Sequence, residues 1–348
     1  MIEIDGSLGE GGGQVLRSAL TLSLLTQETV RINNIRARRK KPGLRAQHLA
    51  SVLAAKVIGR AKVEGAEMGS QELGFKPAGL FSGSYRFDIG TAGSCSLVLQ
   101  TIFLPLSLAG SVSEIEITGG THVPWSPTHD YIRQVWLPIM SALGYPGSAL
   151  LEKAGFYPKG GGRIQISVGS VQDRRGLGCI NPGAEVGLMG CSMIANLPEH
   201  VAVRQRRRVV QKLAEQELEA QIEIQRLGSP GKGSSVFISA AEKPACFGFS
   251  ALGARGKPAE AVADEAIDQL LEFRGSGADV DRFLADQLLI PLSIARASSA
   301  FIVERVTKHL ITNAEVIRKF LPVEISVDRA VNGIGAQVEV TPADLPLG

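Results

Sequence analysis

The sequence is poor in cysteine and lacks any paired cysteine motif. Its four cysteines, Cys95, Cys179, Cys191 and Cys246, include no Cys-x-x-Cys pair. A zinc site built on paired cysteines is therefore not expected. Scattered single cysteines, together with a start (Met-Ile-Glu-Ile-Asp) that carries no targeting pattern, predict a protein of the reducing cytoplasm.

The chain also lacks a strong excess of either charge and a long apolar run. Lys and Arg number 37 against 34 Asp and Glu, so the net charge of +3 does not by itself predict a nucleic-acid binder. The longest uncharged stretch, residues 89–113, is interrupted by glycine, proline and several serines. It is predicted to form a buried helix and turn rather than a membrane span, so no membrane partner is expected.

Three similar apolar segments indicate an internal repeat. Each follows a glycine-rich turn and precedes a strand-like alternation, at residues 20–25, 104–109 and 290–295. Such self-similarity is typical of a repeated supersecondary unit. The gap between the second and third segments exceeds the gap between the first and second by about 100 residues, enough for a small domain.

This spacing predicts the domain organisation. Residues 1–181 and 275–348 are expected to form a large repeat-built domain of α/β class, interrupted by a smaller α/β domain at residues 182–274. Within the insert, the pattern predicts strands at 185–196, 220–226 and 234–240 and helices at 200–219 and 258–273.

Basic residues concentrate in two segments. Residues 36–45 hold six cations around a Pro-Gly turn, which favours binding of a multiply charged anion, with a solvated loop as the alternative. Arg17, one helical turn after Gly13, is placed to join them. The run at 204–208 lies on a predicted helix, where a solvated face and a phosphate contact both remain open.

Two glycine-rich segments depart from the standard nucleotide loops. The segment at residues 9–13 is followed by Gln14, at the position where the dinucleotide-binding motif requires its third glycine. The segment at residues 228–235 lacks the spacing of a P-loop. Glycine-rich turns that open helices still present backbone N–H groups to anions.

His309 is the candidate nucleophile. It follows an apolar run at 300–303, and the small polar side chains of Thr312 and Asn313 come after it. Neutral imidazole is a good nucleophile, although a packed or surface histidine is the alternative. Asp286 lies in an apolar helix, where orienting His309, holding a metal–nucleotide, capping a helix or pairing with a cation are all open roles.

Motifs spread along the chain carry a family resemblance. They are Glu10-Gly-Gly-Gly-Gln14 with Arg17, the 36–48 loop with Pro-Gly-Leu-Arg-x-Gln-His, Gly90-Thr-Ala-Gly-Ser through Gln100, Gly119-Gly-Thr with Pro127 and Asp130-Tyr131, Tyr-Pro-x-Gly-Gly-Gly at 157–162, Ala285-Asp-Gln287, and Thr307-x-His-Leu-x-Thr-Asn313. Together they resemble the RNA 3′-terminal phosphate cyclases over essentially the full length.

The resemblance implies a fold and a reaction. The family's large domain holds three repeats like the C-terminal domain of translation initiation factor 3, interrupted by a smaller α/β domain. Its enzymes use ATP and a divalent metal, Mg²⁺ or Mn²⁺, to convert an RNA 3′-phosphate into a 2′,3′-cyclic phosphate. By resemblance His309 becomes adenylylated, the AMP passes to the RNA 3′-phosphate, and the neighbouring 2′-hydroxyl displaces AMP.

The resemblance also assigns residues. Phe283 stands where the family often has tyrosine, so stacking on adenine is expected to survive while a hydroxyl contact is lost. The adenylate pocket is assigned to Gln100, Pro127, Phe283, Leu284, Ala285, Asp286 and Gln287, the RNA terminal phosphate to Arg17, Arg36, Arg39 and Gln47, and the metal and triphosphate to Glu10.

Three other interpretations stay open at this point. They are a non-catalytic cyclase-like protein of ribosome assembly, which lacks the nucleophile, an enolpyruvyl transferase of related repeat fold, and a general RNA-binding module. The sequence also leaves open the RNA preferred, the use of DNA ends, the identity of the metal and the oligomeric state, a homodimer being one option.

Overall fold

The computed structural model describes residues 1–9, 11–179, 187–242, 244–329 and 335–342. Within these ranges the chain forms four sheets, and helices alternate with their strands. The mixed α/β class predicted from the sequence is confirmed. None of the helices in these ranges combines the length and apolar character needed to cross a membrane.

The first sheet combines a parallel pair of strands with antiparallel ones. Its elements are β1 (Ile2–Asp5), α1 (Gly13–Thr26), β2 (Val30–Asn33), α2 (Ala46–Gly59), β3 (Lys62–Glu64) and β4 (Leu73–Lys76). The order is β1-β2-β4-β3, with β1 parallel to β2 and β4 antiparallel to both neighbours. The helix α1 has buried residues on all sides because it packs against both α2 and α9 as well as the sheet.

The second sheet has the same strand order and the same strand directions. Its elements are β5 (Ser84–Asp88), α3 (Cys95–Ser107), β6 (Ser113–Gly119), α4 (His129–Tyr131), a π-helical turn (Ile132–Trp136), α5 (Leu137–Ala142), β7 (Gly147–Lys153) and β8 (Gly162–Val168). The order is β5-β6-β8-β7, and only β5 and β6 among these pairs are parallel. The helix predicted in the uncharged stretch is α3, and it is buried as expected.

The third sheet lies within the range predicted to be an insert. Its elements are β9 (Leu188–Ala195), α6 (Glu199–Ala214), β10 (Ala220–Arg226), β11 (Gly233–Ala240), β12 (Gly248–Leu252) and α7 (Ala259–Ser276). The order is β10-β9-β11-β12, with β10 parallel to β9 and β11 antiparallel to both of its neighbours. The strand predicted at 220–226 is confirmed, whereas α6 ends five residues before the predicted helix does.

The fourth sheet has three antiparallel strands. Its elements are α8 (Arg282–Ser293), β13 (Ser299–Val303), α9 (Lys308–Phe320), β14 (Glu324–Arg329) and β15 (Ala336–Thr341), and the strand order is β13-β15-β14.

The three similar apolar segments lie at corresponding places, in the last turns of α1, α3 and α8. Each contains a fully buried serine, Ser23, Ser107 or Ser293, whose hydroxyl donates to a backbone carbonyl. Ser107 and Ser293 donate to the carbonyl four residues earlier, whereas Ser23 donates to Glu28 beyond the end of α1, so the shared pattern places a buried serine but not a shared hydrogen bond.

Gly144→Ala is expected to destabilise the fold strongly. Gly144 has a φ of +99°, and a Cβ there would lie 1.6 Å from the carbonyl oxygen of Asp173. Because neither backbone segment can yield cheaply, we expect a loss of more than ~2 kcal/mol in the free energy of unfolding. Gly110→Ala is the matched control, since Gly110 has a φ of +86° but no heavy atom within 4 Å of an added Cβ. Equal midpoints of urea denaturation for the two variants would contradict this account.

Candidate active site

Three helices meet at the side chain of Asn313 on α9. The Ser18 hydroxyl of α1 donates to Asn313 Oδ1 at 2.6 Å, and Asn313 Nδ2 donates to the backbone carbonyl of Asp286 on α8 at 2.6 Å. Asn313 is 1% exposed. Since breaking either bond would leave a buried polar group without a partner, these bonds fix α1, α8 and α9 relative to one another.

A pocket opens beside this junction. It has a volume of about 70 Å³, far smaller than a nucleotide, so it has room for only part of such a ligand. Four residues assigned by resemblance meet there, and they come from three segments that are far apart in sequence. The lining residues are Gln14, Arg17, Ser18, Thr21, Gln100, Thr101, Leu104, Trp136, Met140, Asp286, Gln287, Ile290, Pro291 and Asn313.

Arg17 and Asp286 give the pocket its electrostatic character. Burial raises the pKa of Asp286 to about 7, although the charge of Arg17 acts in the opposite direction. Burial likewise lowers the pKa of Arg17 to about 10, against the effect of Asp286. Arg17 Nη2 donates to Gln14 Oε1 at 3.0 Å. The pocket therefore contains a cation beside a carboxyl group that exchanges its proton near neutral pH.

Trp136 is a pocket residue that sequence reasoning missed. Its indole Nε1–H is buried and has no hydrogen-bond partner among the described residues. A buried donor without a partner is costly, so an acceptor atom of a ligand or a water molecule is expected to satisfy it. No local sequence signal distinguishes Trp136 from an ordinary core aromatic.

His309 is the second residue of α9 and lies one turn before Asn313 on the same helix face. The hydroxyl of Thr307 accepts a hydrogen bond from the Leu310 N–H at 3.1 Å and so caps the helix. The turn after β1 packs against this region, because a Cβ on Gly9 would lie 1.8 Å from Thr312 Oγ1. The half-buried His309 is thus held on a capped helix beside the start of α1.

The metal assignment stays a prediction, because its residue is not among those that the structure describes. Among the described residues, no three His, Cys, Asp or Glu side chains cluster as metal ligands would. Glu10, the residue assigned to the metal, lies outside the described residues.

The basic loop at 36–45 is tightly built. Arg36 Nη1 donates to the carbonyls of Lys41 and Gly43, at 2.7 and 2.8 Å. Burial, with the charges of Arg39 and Arg45, lowers the pKa of Arg36. Gly43 has a φ of +75°, and a Cβ on it would lie 2.1 Å from the Gly69 carbonyl. Arg36 therefore braces the loop, in addition to any contact that it makes with a substrate.

Arg39 and Gln47 reach different neighbours from this segment. Arg39 approaches the start of α1, because a Cβ on Gly12 would lie 3.0 Å from Arg39 Nη2. Gln47 Nε2 donates to Ser51 Oγ at 3.3 Å, and the Gln47 side chain packs against Gly93.

His48 is a second residue that sequence reasoning did not assign. The Arg45 N–H donates to His48 Nδ1 at 3.3 Å, and burial, with nearby arginine charges, lowers the pKa of His48 to about 3. The ring is therefore neutral with its proton on Nε2. Nε2 faces the start of α1, where a Cβ on Gly13 would lie only 2.4 Å away. The sequence motif includes His48 next to Gln47, but a sequence does not reveal which ring nitrogen of His48 carries the proton.

The arrangement thus combines a histidine on a capped helix with two arginines and a second histidine at the start of another helix. A model of the family described as RNA 3′-terminal phosphate cyclase matches residues 8–327. The chain belongs to the RNA 3′-terminal phosphate cyclase family. The resemblance that the sequence motifs carry is therefore confirmed.

Relatives named RNA 3′-terminal phosphate cyclase match over nearly their whole lengths. Those from Methylococcus capsulatus, Archaeoglobus fulgidus and Pyrococcus abyssi are each 43% identical. The matches cover 96%, 92% and 96% of this chain and 95%, 96% and 97% of the relatives, in the same order. A solved structure of an enolpyruvyl transferase from Streptomyces tendae aligns at 9% sequence identity, and the alignment covers 99% of this chain and 66% of the transferase chain. Its TM-score is 0.25, so this likeness carries no argument.

The remaining residues of the cyclase assignment divide between surface and core. Phe283 on α8 is 43% exposed, and Gln287 Nε2 donates to its carbonyl. Leu284 and Ala285 are fully buried in the hydrophobic core, so their side chains do not face the pocket. Pro127 is half-buried on the loop before α4 and is absent from the pocket lining.

Asp281 sets the position of α8 in this cyclase fold. Its Oδ1 accepts hydrogen bonds from the Phe283 and Leu284 N–H groups at 2.8 Å, and the Tyr131 hydroxyl donates to it at 3.0 Å. Asp281 Oδ2 also accepts from the Gly248 N–H of β12 at 3.1 Å. One buried carboxyl therefore connects three parts of the chain that are far apart in sequence.

Asp286→Asn is expected to change how stability depends on pH. The folded-state pKa of about 7 exceeds the ordinary 3.8, so the folded protein holds this proton more tightly than the unfolded chain. The free energy of unfolding should therefore fall as the pH rises from about 4 to about 7, and the variant should lose less stability over that window. Urea denaturation across this range measures the slope. Burial also raises the pKa of Asp281, so part of the slope should remain. Identical slopes in both proteins would contradict the assignment.

Proposed function

We propose that this chain converts an RNA 3′-terminal phosphate into a 2′,3′-cyclic phosphodiester at the expense of ATP, through adenylyl-histidine and RNA-adenylate intermediates. The observation that carries the proposal is the position of His309. In a member of this family, it lies one turn from the buried Asn313 that joins the helices bearing Arg17 and Asp286.

In the first step a ring nitrogen of His309 attacks the α-phosphorus of ATP. A phosphorus–nitrogen bond forms, the bond from that phosphorus to the bridging oxygen breaks, and diphosphate leaves. The N–H groups at the starts of α9 and α1 favour negative charge at this point. Gln100 and Gln287, which hydrogen bond to each other, offer amide groups for the nucleotide, and exposed Phe283 offers a ring face.

In the second step an oxygen of the RNA 3′-phosphate attacks the same phosphorus, and the bond to the imidazole breaks. The 2′-oxygen then attacks the RNA phosphorus, loses its proton, and AMP leaves. The attacking hydroxyl already lies next to the phosphorus, so proximity assists the closure. We assign Arg17, Arg39 and the Nε2–H of neutral His48 to the RNA phosphate, with Arg36 and Gln47 supporting them.

The domain organisation and the metal belong to the same proposal. We assign the sheet β9–β12 with α6 and α7 to an inserted domain at residues 182–274, and the other three sheets to three repeated units. Mg²⁺ or Mn²⁺ at Glu10 stays a prediction, and no step assigned to the chain's own groups depends on it. The three cysteines whose side chains are described are buried thiols, which suits a reducing cytoplasm.

His309→Ala is expected to abolish transfer of label from α-labelled ATP to the protein in the presence of Mg²⁺ or Mn²⁺. His200→Ala is the control, because His200 is an exposed histidine on α6 and should leave labelling unchanged. Acid-labile label on the unmodified protein, read by gel autoradiography, would also separate a cyclase from an enolpyruvyl transferase. Equal labelling of the His309 variant and the unmodified protein would remove His309 as the nucleophile.

Arg39→Ala is expected to weaken use of the RNA phosphate while leaving self-adenylylation largely intact. Loss of a charge-assisted contact should raise the KM for RNA with a 3′-phosphate by about 10- to 100-fold. Lys40→Ala removes a cation from the same loop and serves as the control. A matching loss of adenylylation in the Arg39 variant would show instead that the loop serves ATP, and equal binding of RNA with a 3′-hydroxyl would favour a general RNA-binding module.

A further inference from the structure

The third sheet carries a groove that lies apart from the proposed cyclase site. It has a volume of about 730 Å³ and runs between α6 and β10. The lining residues are Val203, Arg206, Arg207, Val210 and Gln211 of α6, and Ala220 and Ile222 of β10. None of them belongs to the residues assigned to nucleotide, RNA phosphate or metal.

One wall of the groove is the edge of a sheet. Within the described ranges β10 pairs with β9 alone, so its other edge has no strand beside it. The unpaired N–H and C=O groups of an edge strand are a template for an added strand. At seven residues, β10 is long enough to pair with a short extended segment.

The opposite wall is cationic. On α6, Arg204, Arg208 and Lys212 pair with acidic residues of α7 at 2.6 to 2.7 Å. Arg206 and Arg207 face away from α7 and form no ion pair with any described carboxylate. Two guanidinium groups are thus left to the groove, and they complement an acidic occupant.

Apolar side chains line the groove beside the arginines. Val203 and Val210 are 39% and 44% exposed and lie seven residues apart on one face of α6. Ile222 of β10, which also lines the groove, is buried. In a strand added to β10 every second side chain faces α6, so an occupant whose α6-facing side chains include both apolar and acidic ones matches these residues.

We propose that this groove binds an extended acidic segment of a partner protein, which adds to β10 as a further strand. Among the side chains that it directs toward α6, apolar ones contact Val203, Val210 and Ile222, and carboxylates pair with Arg206 and Arg207. A single-stranded RNA is the poorer fit, because no aromatic side chain for base stacking lines the groove. A second copy of this chain is also a poorer fit, because pairing β10 with itself brings the arginines of both copies together.

Neighbouring charge sets the register of the segment. The turn after α6 carries Glu215, Glu217 and Glu219, at the end of the groove away from Val203. Carboxylates of the segment are repelled from that end. Its acidic residues therefore lie at Arg206 and Arg207, with neutral or basic residues toward the glutamates.

The test uses the full chain and a fluorescein-labelled peptide of roughly eight residues that ends in lysine, in which every second residue faces α6 and is valine and glutamate in turn, with threonine between them. Fluorescence polarisation should show saturable binding that weakens by about tenfold or more in Arg206→Ala/Arg207→Ala. The matched control, Arg204→Ala, removes an arginine already paired with Glu260 and should bind normally. A peptide with glutamine for glutamate should bind weakly, and one N-methylated at alternate residues should not bind, because it cannot pair with β10.

The outcomes separate this groove from the cyclase site. Normal labelling by α-labelled ATP in Arg206→Ala/Arg207→Ala is expected, and it keeps failure of the groove distinct from failure of the proposed cyclase activity. Undiminished binding of the N-methylated peptide, or equal binding by the unmodified chain and the double variant, would overturn the proposal. It would also be overturned if that double variant lost affinity for a 3′-hydroxyl RNA oligonucleotide instead, or if Val210→Glu shifted a dimer to monomer in sedimentation.

Discussion

The two hydrogen bonds of Asn313 are the constraint on which the site depends. Arg17 lies on a helix that is far in sequence from the helices of Asp286 and His309, and the Asn313 amide connects all three helices. An amide is suited to this task because it donates with one end and accepts with the other. A hydrophobic residue of similar size would fill the same space, but it would leave the Ser18 hydroxyl buried without an acceptor and would not set the rotation of α9.

Close backbone approach is the second requirement of the site. The glycines at the start of α1 allow Arg39, His48 and Arg17 to come within contact distance of the helix backbone. A side chain there would occupy the space in which the guanidinium and imidazole groups meet. The same corner keeps His48 neutral, since burial disfavours its charged form and protonation would add a positive charge near Arg17, Arg36 and Arg45. Neutrality leaves His48 as a hydrogen-bond donor whose orientation the Arg45 N–H fixes.

The sequence predicted local features well and spatial relations poorly. Periodicity located the buried helix α3 and the strand β10, because those patterns depend on neighbours within a few residues. The resemblance of the motifs identified the family correctly. It did not reveal that Leu284 and Ala285 point into the core while Phe283 points outward, since that depends on how α8 is rotated by Asp281. The junction at Asn313 joins residues 295 positions apart, and no local pattern encodes such a contact.

Charge placement, rather than charge total, distinguishes the functional regions of this nearly neutral chain. On α6, two arginines that are two residues apart have different surroundings, because Arg204 forms an ion pair with Glu260 of α7 whereas Arg206 lines a groove. In the pocket, the pKa of Asp286 lies close to neutrality because burial and Arg17 oppose each other. A phosphate brought to Arg17 adds negative charge beside this carboxyl and stabilises its protonated form. An anion that bound beside Arg17 would therefore favour proton uptake by Asp286, and it would meet a neutral acid and a cation instead of a carboxylate that repels it.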